Sequence, residues 1–169
     1  MPLASKFVVM GVSGCGKSSV GAAVAKELGI SYIDGDDLHP PENIAKMSRG
    51  MPLTDADRAP WLVRVGERLA AFEGPVVIGC SALKRAYRDI VRDKAGESVC
   101  FLHLEGSRET LSERMVKRPG HFMPVSLLES QLATLEPPGL DETAITADID
   151  QPFDQLVDAL VAKIREESS

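Results

Sequence analysis

Gly11-Val12-Ser13-Gly14-Cys15-Gly16-Lys17-Ser18 has the spacing GxxxxGK[ST], and its residue types suit one task, the cradling of a polyphosphate. Glycines let the backbone wrap closely around phosphate oxygens, so that amide N–H groups and a helix N-terminus meet negative charge. Lys17 is placed to reach the β- and γ-phosphates of a nucleotide and Ser18 to ligate Mg²⁺, with Ser19 closing the binding stretch. A glycine-rich turn with a surface lysine would use the same residues without chemistry. Here the motif follows an apolar run directly and opens a helical one, which is the context a phosphate loop requires. Cys15 admits two readings, a thiol activated by the helix N-terminus or a small residue that fills the loop, and filling is the simpler.

A second chemical group follows at Asp34-Gly35-Asp36-Asp37-Leu38-His39. If the segment is extended, Asp34 and Asp36 point the same way and Gly35 leaves room for another group to approach. Asp34 is then assigned to a metal, through water, and Asp36 to orienting or deprotonating an acceptor hydroxyl. The plainer alternative is an acidic turn that caps a helix, and Asp37 suits that role. Cations recur downstream at Lys46, Arg49, Arg58, Lys84, Arg85 and Arg88, which implies an anionic acceptor. Ser81 and Lys84 follow a strand and can face the same cleft as Asp36, although Ser81 could instead cap the next helix.

Arg114 and Arg118 stand four residues apart on one helix face and run into Pro119-Gly120-His121-Phe122. The spacing fits an arginine-bearing lid that excludes water and brings positive charge to a moving phosphoryl group. It fits equally a solvated helix end whose cations favour the C-terminal dipole. His121 is a candidate ligand for substrate hydroxyls, and Asp148 to Pro152 could border an adenine. No NKxD base-reading motif is present, which disfavours a GTPase switch.

These groups need a scaffold that brings loop residues to one edge. Short apolar runs alternating with helical periods predict an α/β fold, a parallel sheet covered on both faces by helices. The expected strands are 6–10, 31–33, 76–80, 99–104 and 143–149. The expected helices are 17–28, 55–72, 84–93, 109–117, 125–135 and 152–166. Thr54 with Asp57 resembles a capping box, and Pro60 is expected to kink or break the second helix. Segments 34–54 and 117–124 are expected to be irregular.

Of the 169 residues, 44% are hydrophobic and 26% charged, which fits one domain over 1–169. Within it the acceptor-binding segment, at about 36–75, and the lid, at about 114–135, are expected to move. A net charge of -6 and a pI near 5.1 argue against a nucleic-acid partner. The apolar run Phe7 to Met10 is too short for a signal core or membrane span, so a cytoplasmic location is expected. Cys15, Cys80 and Cys100 are odd in number and widely spaced, and read as reduced thiols without a structural metal.

Four strings together resemble one family, the small gluconokinases of the P-loop kinases, over Lys6 to Ile164. They are GVSGCGKSS at 11–19, DGDDLHPPENIAKMSRGMPLTDADRAPWL at 34–62, CSALKRAYRD at 80–89 and RPGHFMPVSLLESQLATLEPP at 118–138. The middle two are far more specific than the phosphate loop. Cys15 and Ser19 depart from the Ser and Thr common in that family's loop, while the hydroxyl at Ser18 is kept. The resemblance implies a three-layer α/β/α fold with a five-stranded parallel sheet, like shikimate and adenylate kinases. It also implies ATP and Mg²⁺, gluconate as acceptor, and a homodimer. By the same resemblance Asp34, Asp36, His39, Arg49, Arg58, Ser81, Lys84, Arg88, His121 and Gln131 contact metal or gluconate, with Arg114 and Arg118 near ATP. The rival expectations are a kinase for another anion, such as shikimate or a nucleoside monophosphate, and a nucleotide-binding regulator without phosphotransfer.

Overall fold

A computed structural model describes residues 6–12, 15–51, 53–117 and 125–168 of the chain. Five parallel strands form one sheet in the order β2-β3-β1-β4-β5. They are β1 (Lys6–Met10), β2 (Ser31–Asp34), β3 (Val76–Gly79), β4 (Val99–Glu105) and β5 (Ala144–Asp148). β1 lies centrally, with Val8 opposite Ile78 on one side and Phe101 on the other. All five of its residues are buried, as expected of a strand with helices on both faces.

Helix α1 (Lys17–Leu28) packs with α7 (Phe153–Ser168), and α3 (Asp55–Ala71) packs with α4 (Arg85–Ala95). These pairs cover the sheet and bury one continuous core that includes Met10, Trp61, Leu69, Ile78, Phe101 and Leu160. Helices α5 (Arg108–Lys117) and α6 (Val125–Thr134) meet each other beyond β4. Among the described residues no helix is long and apolar enough to cross a membrane.

Two local expectations change. Segment 34–54 is not irregular: Gly35–Leu38 is a turn of 3-10 helix and Pro41–Ser48 is α2. Pro41 fits at the start of α2 because its missing N–H would have no intrahelical partner there. Nor does Pro60 break α3, which runs unbroken through it. Pro60 and Ala56, four residues earlier, are both exposed, so water can reach the carbonyl that loses its bond. The start of α3 is the expected capping box, with Thr54 Oγ1 accepting from the Asp57 amide at 3.1 Å and Asp57 Oδ2 from the Thr54 amide at 2.9 Å.

Candidate active site

The carboxyl end of β1 delivers the chain into the phosphate loop. Gly16 closes that loop in the left-handed region at φ 91°, a conformation glycine adopts without strain. Cys15 is fully buried with its sulfur against Gly11, so it fills the loop and is not exposed for chemistry. Lys17 Nζ donates to the carbonyls of Gly11 at 3.0 Å and Val12 at 3.3 Å, which folds the ammonium over the loop. Ser18 and Ser19 are exposed at the start of α1. Ser13 and Gly14 lie outside the described residues, as do Arg118 and His121.

Asp34 and Asp36 meet by a route other than strand alternation. β2 ends at Asp34, whose Oδ1 accepts from the Asp36 amide at 2.9 Å and so caps the 3-10 turn. The cap is therefore Asp34, not Asp37, which is exposed. Gly35 is required by a close approach, since a Cβ there would lie 2.2 Å from the Gly79 carbonyl oxygen. That neighbour is the backbone of β3, not a ligand. The Asp36 carboxylate remains open to solvent, with 66% of its side-chain surface accessible. The surrounding protein still desolvates it enough to raise its pKa; the Lys17 charge opposes this, while Asp34 and Asp37 add to it. Burial pushes the nearby Cys80 thiol up to about 12, so that thiol stays protonated.

The candidate acceptor side is a connected cluster. Arg58 donates to the Tyr87 hydroxyl at 2.7 Å, Tyr87 donates in turn to Asp55, and Lys84 reaches the same Asp55 oxygen at 3.3 Å. Both cations stand over the Tyr87 ring, Arg58 at 5.2 Å and Lys84 at 5.6 Å from its centroid. Thus residues from α3 and from the loop after β3 converge on one aromatic platform. Behind it His39 stacks on Trp61 at 3.9 Å, and Trp61 Nε1 donates to the Gly35 carbonyl at 2.8 Å. Burial, helped by the Arg58 charge, lowers the His39 pKa to about 4, so the ring is neutral near pH 7. Arg49 ends α2 with its side chain exposed.

Among the described residues Arg88 is set deeper than the other candidate cations. Its side chain is fully buried, donates to the Ala82 carbonyl at 2.8 Å and forks onto Glu142 at 2.7 and 3.1 Å. So engaged, Arg88 supports the loop that carries Ser81 and Lys84. Ala82 sits in that loop at φ 44°, a strained conformation that such a tie can hold. Burial alone would raise the Glu142 pKa, but hydrogen bonds from Arg88, the Gly139 amide and Arg92 outweigh it and bring it to about 2. Ser81 does not cap α4. The cap residue is Lys84, the Arg85 amide is met by Glu136 at 3.0 Å, and the Ser81 carbonyl accepts from the Gly11 amide at 3.2 Å. Arg85 pairs with Asp141 at 2.6 Å, away from the acceptor cluster.

On the other flank Arg108 of α5 pairs with Glu129 of α6. Arg114 lies in α5 and Gln131, half-buried, in α6. The loop after β5 is tied down by Thr110, which donates to Asp150 at 2.9 Å. Sequence reasoning missed Asp55, Tyr87, Asn43 and Glu142. Tyr87 and Asp55 sit one residue from Arg88 and three from Arg58, so proximity to the basic positions was the available signal.

The AAA domain family matches residues 7–138. A gluconokinase of Gluconobacter oxydans is 47% identical over 99% of this chain and 96% of its own. The crystal structure of a gluconokinase from Sinorhizobium meliloti superimposes with a TM-score of 0.91 at 51% identity, covering 99% of this chain and 95% of that one. A shikimate kinase from Aquifex aeolicus shares the fold, with a TM-score of 0.59 at 15% identity over 96% of this chain and 97% of that one.

Proposed function

The chain belongs to the gluconokinase family of P-loop kinases, and from that premise we propose how its residues move the γ-phosphoryl group of ATP onto gluconate. The reading is supported by the proximity of the two groups proposed to act on phosphate and hydroxyl. Lys17 on the phosphate loop and Asp36 beyond β2 lie close enough for the lysine charge to oppose the rise in the aspartate's pKa.

The amides of Gly11 to Ser19 and the Lys17 ammonium hold the phosphates. Asp36 accepts the proton of the terminal hydroxyl as that oxygen bonds to the γ-phosphorus and the bond to the β-phosphate oxygen breaks, leaving ADP and 6-phosphogluconate. Arg58 and Lys84, gathered on Tyr87, are the proposed ligands of the gluconate carboxylate, with Arg49, Ser81, His39 and Gln131 along the acceptor segment. Arg114 and Arg118 at the lid, and His121 beside them, complete the proposed set.

Ser18 and Asp34 offer hard oxygen donors of the kind Mg²⁺ prefers, so the residues present fit that ion. When bound with the nucleotide it offsets phosphate charge. The acceptor segment at 36–75 and the lid at 114–135 are proposed to close around the substrates. A cytoplasmic homodimer is part of the same proposal and rests on the family resemblance.

The test is coupled ADP release with Mg²⁺-ATP against gluconate, shikimate, AMP and no acceptor. Release with gluconate alone is expected. Release with shikimate or AMP instead would overturn the substrate, and none with any acceptor would favour a nucleotide-binding regulator.

A further inference from the structure

His39 and Asn43 are both buried, and the hydrogen bonds around them leave one arrangement of protons. Asn43 Nδ2 lies 2.9 Å from the Asp57 backbone carbonyl, which can only accept. The amide must therefore turn its NH₂ group, not its oxygen, toward Asp57. The same nitrogen lies 3.1 Å from His39 Nδ1, and it has a second hydrogen to give. Nδ1 of the neutral ring is thereby the acceptor, and the single ring proton sits on Nε2. Nε2 faces Asp36, with Oδ1 at 3.9 Å. That gap is too long for a direct hydrogen bond, yet one oxygen at about 2.8 Å from each atom would span it.

We infer that Asn43 is a positioning residue: it holds His39 as the Nε2–H tautomer, so the ring shows the acceptor cleft a hydrogen-bond donor and not a base. Three features make the arrangement rigid. Trp61 stacks on the ring with an interplanar angle of 16°, and its own indole is anchored on Gly35. The Asp57 carbonyl that orients Asn43 belongs to the first turn of α3, where the capping box fixes the backbone. Lys46 holds the Asp57 carboxylate at 2.6 Å, which ties α2 to the same turn. The roles in the cleft then separate. Asp36 is the only proton acceptor of the pair, and His39 steers either the carboxylate or the hydroxyl oxygen that bridges to it. The inference deepens the gluconokinase reading and rests on it for the identity of that hydroxyl.

Long-range ¹H–¹⁵N correlation spectra at pH 7 read the tautomer directly, because the chain has 3 histidines and His39 is assigned by its loss in His39→Gln. Protonation at Nε2 is expected, and an Nδ1–H pattern in the wild-type protein overturns the inference without any variant having to fold. In Asn43→Ala the unique pattern is expected to give way to a mixture, with kcat for gluconate falling by between about ten- and a hundredfold. His39→Gln, which keeps an N–H donor, is expected to retain more of kcat than His39→Phe, which keeps only the stack. Unchanged spectra and kinetics in Asn43→Ala would also overturn it. If the wild-type protein shows no gluconate-dependent ADP release, the substrate reading fails while the spectra still decide the tautomer.

Discussion

Lys17 and Asp36 carry opposite charges that interact, and under the roles proposed for them their substitutions should separate binding from proton transfer. Lys17→Ala is expected to abolish turnover while circular dichroism and Tm stay near wild type, since among the described residues its ammonium hydrogen-bonds to two carbonyls of its own loop. Turnover that survived would remove Lys17 from the phosphate site. Asp36 must be ionised to take a proton, and its pKa is raised, chiefly by desolvation. The acid limb of kcat/KM should therefore lie above the ordinary carboxylate value, and activity should fall as pH drops through it. In Asp36→Asn a fall in kcat of about 10² to 10⁴ is expected, with that limb lost. At this scale the sequence was informative about where Lys17 and Asp34 stand, at the start of a helix and the end of a strand, because both are local patterns. It was silent on the setting of Arg88, whose partner Glu142 is 54 positions away. No spacing rule distinguishes an arginine aimed at a ligand from one forked onto a buried carboxylate.

The elements show the same division between local and distant signals. The start of α1, the capping box of α3 and the glycine at the end of α1 are written in adjacent residues, and the structure places them at Lys17, Thr54 and Gly29. Helix α2 escaped because prolines and glycines on either side of 41–48 suggested a loop, although Pro41 with Glu42 is a helix-start signal. The support of the loop after β3 was hidden for a different reason: Glu136 and Glu142 cap and clamp it from beyond α6. Arg88→Met tests that support. It leaves Glu142 buried with one partner fewer and should cost about 3–5 kcal/mol. For a chain of this size that lowers Tm by about 10 °C. If Tm held, the tie would not support the loop, and a gluconate KM that rose more than the loss of stability explains would make Arg88 a substrate contact as well.

Across the whole molecule, the buried titratable groups set how the fold responds to acid. His39 is neutral in the fold with a pKa of about 4, against 6.5 for the free side chain. Below pH 6.5 the unfolded chain thus binds a proton that the folded chain refuses, so stability falls through that window until about pH 4. Glu142, held at about 2 against 4.5, adds a second loss that begins near pH 4.5 and continues toward 2. Asp36 works in the opposite sense, because its raised pKa lets the folded state take up its proton first. Among the described residues the groups facing His39 are Asp36, Arg58, Asn43 and Trp61, and of these Asp36 alone titrates in the acid range. Urea unfolding of wild type and His39→Gln from pH 7.5 to 3 should therefore diverge in slope between pH 6.5 and 4 and run parallel below. Curves parallel throughout would mean that protonated His39 is accommodated in the fold, and the neutral ring would lose its place in the acceptor cleft.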